Sequence, residues 1–150
     1  KPIVFIVHGH NDNMKDKVEL FVKNLDFKPI VLHKQINGGR TIIEKFEEYA
    51  KKATYAIVIL SADDYGYAKK RDETTKQLRA RQNVVFELGF FTGRLGRQNV
   101  AVLQETATNF ESVGDYSGVV YVPYDSGSWD IRIAKEMRAA GLPVDFEKLF

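Results

Sequence analysis

Apolar and polar positions along this chain fall into blocks of two kinds. Ile3 to Val7 is an unbroken run of β-branched and aromatic residues, the pattern of a strand covered on both faces and so of a parallel sheet. Pro29 to Leu32, Tyr55 to Leu60 and Val100 to Leu103 read the same way, with Val119 to Val122 as a fifth, less regular strand. Between these runs the apolar spacing changes to that of a helix. Val18, Phe21, Val22 and Leu25 follow Asn13, and Ile42, Ile43, Phe46 and Ala50 follow Thr41. A third helix is expected from about Ala80 to Leu95, with Val84, Leu88, Phe91 and Leu95 on one face. The last should run from Ser128 to Ala140, closed by Gly141 and Pro143.

Five β-α units in succession predict an α/β domain: a five-stranded parallel sheet with helices on both faces. Right-handed crossovers and short loops leave few topologies, and the flavodoxin-like strand order 2-1-3-4-5 is the common one at this size. A length of 150 residues suits one domain, 1–150, with a core of its own. The sequence opens on Lys1 without a methionine, so a longer chain carrying a sensor domain is compatible with it.

Composition narrows the partners. The net charge of +2 comes from 22 basic and 20 acidic residues spread along the chain, so there is no electrostatic footprint for nucleic acid. Lys69, Lys70 and Arg71, diluted by Asp72 and Glu73, read as a solvated loop. The absence of cysteine removes disulfides, thiol nucleophiles and cysteine metal sites and fits a reducing compartment, which makes the cytoplasm the expected location. The apolar runs are strand-sized, so no membrane span is expected.

In an open parallel sheet the ligand crevice forms at the carboxyl ends of the strands, where backbone donors and helix N-termini converge. That rule selects His8, Gly9, His10, Asn11 and Asp12 after the first strand, Lys34 to Arg40 after the second, Ser61 to Gly66 after the third, and Gln104 and Glu105 after the fourth. Gly9 permits close approach of a ligand, and a tight strand-to-helix turn would want it equally. His8 and His10 point to opposite sides of an extended segment, so no metal site is expected of them. Asn37, Gly38 and Gly39 look like a turn, with Arg40 opening the next helix.

The third helix carries the strongest signal. Arg79, Arg81, Gln82 and Asn83 crowd its start, and Glu87 interrupts the apolar stretch from Val84 to Phe91. At 3.6 residues per turn Asn83, Glu87, Phe90 and Arg94 share a stripe beside the core-facing one, which places Glu87 at the core boundary near the crevice. A carboxylate there is either functional or paired with Arg81 or Arg94. Gly89 and Gly93 are expected to allow close packing on the sheet.

These residues resemble the TIR-like predicted nucleotide-binding domains of bacterial antiphage effectors, found alone or joined to sensors of cyclic nucleotides, including STING-type sensors. The matching segments are VFIVHGHND at 4–12, KPIVLHKQINGGRTIIEKFEEYA at 28–50, YAIVILSADDYG at 55–66, RARQNVVFELGFFTGRLGR at 79–97 and GVVYVPYDSGSW at 118–129. The resemblance implies cleavage of NAD+ as substrate with no further cofactor and a catalytic role for Glu87; nucleotide contacts are expected from His8, Gly9, His10, Asn11 and Asp12, from Asp63 or Asp64, and from Arg81 and Asn83, where backbone amides and an arginine suit a pyrophosphate. It also implies that Asn37, Gly38, Gly39 and Arg40 belong to a loop used in self-association on activation. A single carboxylate suffices for such a reaction: nicotinamide leaves as a neutral ring, and only the oxocarbenium ion needs stabilising. Water would give ADP-ribose, and attack by adenine a cyclic product. Rival readings are a nucleoside deoxyribosyltransferase-like N-glycosidase, which also uses a helix glutamate, and a TIR adaptor that only recruits partners. A phosphoacceptor receiver domain would want an aspartate where Ser61 stands and paired acids where His8 and Gly9 stand.

Overall fold

The computed structural model describes residues 1–31, 42–106, 109–111, 118–124 and 127–150. Five strands form one parallel sheet: β1 (Ile3–Val7), β2 (Lys28–Val31), β3 (Tyr55–Leu60), β6 (Val100–Gln104) and β7 (Val120–Pro123). Their order is β2-β1-β3-β6-β7, which is 2-1-3-4-5 when only the strands of this sheet are counted. The helices are α1 (Asp12–Asn24), α2 (Ile42–Ala50), α3 (Gln82–Leu95) and α4 (Trp129–Ala139).

The unbroken apolar runs become strands because both faces of the sheet are covered. Val4 and Ile6 of β1 face one way, into a core shared with Ile57, Ile59, Leu103 and the apolar side of α1 and α4. Phe5 and Val7 face the other way, into a core built with Val58, Leu60, Val102, Val84, Leu88 and Phe91. Successive side chains of a strand alternate between faces, so a strand in the middle of such a sandwich must be apolar throughout. All six residues of β3, the central strand, are buried.

Three expectations are corrected. The count of five β-α units implied a helix after every strand, although the periodicity placed none between Leu103 and Val119, and among the described residues none lies between β6 and β7. In its place Asn109 to Glu111 pair with Leu78 of a small antiparallel hairpin, β4 (Asp64–Gly66) and β5 (Gln77–Arg79), inserted between β3 and α3. Arg79 consequently lies in β5 and not at the start of the third helix, which begins two residues later than expected, at Gln82. Gly89 and Gly93 are not packing points. Both are exposed, and a Cβ at either would meet no described atom within 4 Å, while Val84, Leu88 and Phe91 face the sheet.

No helix among the described residues is long and apolar enough to cross a membrane.

Candidate functional site

The loops at the carboxyl edge of the sheet are tied to one another by two carboxylates. Asp63, just after β3, accepts from Ser61 Oγ at 2.8 Å through Oδ1 and from the His10 amide at 3.1 Å through Oδ2. Its own amide donates to Ser61 O at 2.9 Å and Arg79 O at 3.2 Å. Asp63 therefore joins the β1 loop, the β3 loop and the hairpin. Gly9 suits this contact, because a Cβ there would displace the Asp63 carboxylate. The close approach at Gly9 is thus to the chain's own Asp63.

Glu105 does the same on the β6 side. It accepts from Asn11 Nδ2 at 3.2 Å and from the Ala62 amide at 2.5 Å. Asn11 also caps α1, accepting from the Met14 amide at 3.1 Å, with Asp12 exposed in the first turn where a helix dipole favours an acid. His8 is half-buried and its Nδ1 donates to Gly9 O at 2.8 Å, which fixes the tautomer, while the His10 side chain is exposed.

The start of α3 is built differently. Arg81 is its N-cap residue, the Arg81 side chain makes no cap hydrogen bond, and the first turn holds no acid. Arg81 Nε lies 3.6 Å from Asp64 Oδ1, at the root of the hairpin. Asn83 is half-buried in the first turn. Glu87 follows in the second turn and is only 7% exposed, a burial that Ser61 shares among the polar side chains of this edge. From that edge α3 runs toward the amino ends of the strands, where Arg94 lines a hollow of about 490 Å³ with Pro2, Thr54 and Pro143. Arg94 thus stands at the edge away from the crevice. A second hollow, of about 400 Å³, opens at the carboxyl ends of β6 and β7 and is lined by Glu105, Phe110 and Tyr121, among others.

The structure therefore brings His10 to Asp63, Gly9 to Asp63, Asn11 to Glu105 and Arg81 to Asp64. The self-association residues Asn37, Gly38, Gly39 and Arg40 lie outside the described residues. Glu105, as a strut between loops, was missed by sequence reasoning. Its position after a strand marked it for the crevice, but its partners Asn11 and Ala62 are 94 and 43 residues away. Among the described residues no three His, Asp or Glu side chains gather to hold a metal.

Residues 3–126 match the family model of the CAP12/Pycsar effector protein, TIR domain. The chain belongs to that family. The uncharacterized protein YuaY of Escherichia coli K12 is 40% identical to this TIR domain over 146 residues, 97% of this chain and 48% of YuaY. Protein tirC of Dictyostelium discoideum is 38% identical over 127 residues, 81% of this chain and 63% of tirC. The Pycsar effector protein BcPycTIR of Burkholderia cepacia is 32% identical over 82 residues, 55% of this chain and 26% of that protein. This chain spans about half the length of YuaY and under two thirds of tirC.

Proposed function

We propose that this TIR domain cleaves NAD+ between nicotinamide and ribose, with Glu87 as the catalytic carboxylate. The observation that carries the reading is a buried acid in the second turn of α3, a helix whose N-terminus has Arg81 and neither a side-chain cap nor an acid of its own. A helix start of that kind favours an anion, and a guanidinium can pair with a phosphate through two hydrogen bonds.

In this mechanism the C1′–N bond breaks with its electron pair going to the nicotinamide ring, which leaves neutral. Positive charge develops at C1′ and the ring oxygen of the ribose. The Glu87 carboxylate stabilises that charge from a site with little water, where electrostatic effects are strong. Water then attacks C1′ and gives up a proton to Glu87 or to solvent, yielding ADP-ribose, or an adenine nitrogen attacks to give a cyclic product. The β1 loop from His8 to Asp12, together with Arg81 and Asn83, holds the pyrophosphate and ribose. Asp63 and Asp64 shape the site from the β3 side, Asp63 through His10 and Asp64 through Arg81.

The family and its Pycsar relatives support a defence effector switched on by a cyclic nucleotide, sensed by a domain fused to this one or separate from it. Self-association through the loop containing Asn37, Gly38, Gly39 and Arg40 would then complete the site. The test is nicotinamide release from NAD+ across a wide range of protein concentration, with a crowding agent, beside parallel incubations with deoxynucleoside monophosphates. Release from NAD+ that rises per molecule with concentration supports the reading. Base release from the deoxynucleotides alone would replace it with a deoxyribosyltransferase-like activity, and no release from either would favour an adaptor.

A further inference from the structure

Glu105 stands at the carboxyl end of β6, and its amide donates to Leu60 O at 2.9 Å, which fixes its backbone to the end of β3. Its carboxylate then reaches two loops: one oxygen accepts from Asn11 Nδ2 at 3.2 Å and the other from the Ala62 amide at 2.5 Å. Asn11 is committed in turn, because its Oδ1 accepts from the Met14 amide as the cap of α1. The hydrogen bonds along this path have one workable direction. A carboxylate accepts at both oxygens, whereas a primary amide accepts at one atom and donates at the other. A glutamine in place of Glu105 could keep the Ala62 bond but would turn an NH2 toward the NH2 of Asn11. Rotating Asn11 to relieve that clash would take its oxygen off Met14 and undo the cap.

We propose that Glu105 is a positioning residue for nucleotide cleavage, holding the β1 loop and the β3 loop at a fixed separation by accepting a hydrogen bond from each. The proposal rests on the NAD+ reading above. Glu105 acts through Asn11 and Ala62 and not on the reacting atoms. Its loss should therefore appear in KM, set by the loops that grip the nucleotide, more than in kcat, set by Glu87 on a separate element.

The directionality supplies the test, in a cycle of Glu105→Gln, Asn11→Asp and the two together. Aspartate caps a helix as well as asparagine does, and its second oxygen can accept from the amide introduced by Glu105→Gln. The double variant thus restores with exchanged roles what each single variant breaks. Glu105→Gln is expected to raise KM for NAD+ about tenfold, the loss of one hydrogen bond to a charged group, with kcat within about twofold. Asn11→Asp alone sets two carboxylates against each other and should do at least as much harm. The double variant should recover to within about threefold of the parent. Losses that simply multiply in the double variant, or an unchanged KM in Glu105→Gln, overturn the proposal. Amide hydrogen exchange at Met14 and Ala62 reads the same bridge without any activity: faster at one or both amides in each single variant and restored in the double. If the parent itself fails to cleave NAD+, the functional reading falls, while equal exchange in all four proteins would overturn the bridge on its own.

Discussion

Two of the helices that start at the carboxyl edge of this sheet, α1 and α3, start in opposite ways. The first turn of α1 is complete within the chain: Asn11 caps it, Asp12 complements its dipole, and Glu105 holds the cap residue from behind. The first turn of α3 has Arg81 at the cap position, no side-chain cap and no acid, with Glu87 buried one turn further on. A helix N-terminus carries a partial positive charge and N–H groups in need of acceptors. One end answers that need with its own residues, and the other adds a further cation. The difference separates a helix start completed by the chain's own residues from one whose first turn is left open to an anionic ligand, and it can be broken or sharpened by substitution.

The largest effect should come from the finished end. Asn11→Ala removes both the cap and the partner of Glu105, and is expected to destabilise the domain by about 2–3 kcal/mol in urea unfolding. A loss below about 0.5 kcal/mol would mean that the loop is not held as described.

At the other end the expected sign for stability is reversed. Arg81→Ser supplies the missing cap and gives up only a half-exposed pair with Asp64, so stability should stay level or rise by up to about 1 kcal/mol. NAD+ cleavage should fall roughly tenfold with it. A variant that lost stability and kept activity would invert the contrast between the two helix ends.

Gly89→Ala and Gly93→Ala probe the rest of α3. Each should raise stability by about 0.5–1 kcal/mol, since helix propensity improves and a Cβ meets no described atom. Thermal or urea unfolding of each variant checks this. A loss of stability would show that a neighbour lies closer to that face than described.

The smallest effect concerns pH. Burial, and secondarily the charge of Glu136, raise the Tyr55 phenol above its ordinary value. The folded protein thus keeps a proton that the unfolded chain begins to release near pH ~10. This contribution is complete below that pH and is lost as pH rises above it, at no more than about 1.4 kcal/mol per pH unit. Tyr55→Phe should flatten that part of the alkaline unfolding profile and leave neutral pH unaffected by it.

The sheet was legible in the sequence because its strands are buried on both faces, so that runs such as Tyr55 to Leu60 stand out from everything around them. The hairpin was not legible. Asp64 to Gly66 and Gln77 to Arg79 are three residues each and mostly polar, and they are held by register with one another and with Phe110, a long-range relation that leaves no local period. Glu87 could be picked out because a charge inside an apolar helix is conspicuous. The struts formed by Asp63 and Glu105 were not legible, since they depend on backbone amides and side chains met across the crevice, far away in sequence.

The central claim is that the Glu87 carboxylate carries the cleavage, and nicotinamide release by the parent and by Glu87→Gln at matched high concentration tests it most directly. The substitution keeps size and one acceptor oxygen while removing charge, so the account predicts a folded protein with release reduced about a hundred- to a thousandfold, the scale on which a lost electrostatic stabiliser acts. A folded Glu87→Gln protein that releases nicotinamide at the parental rate would contradict it.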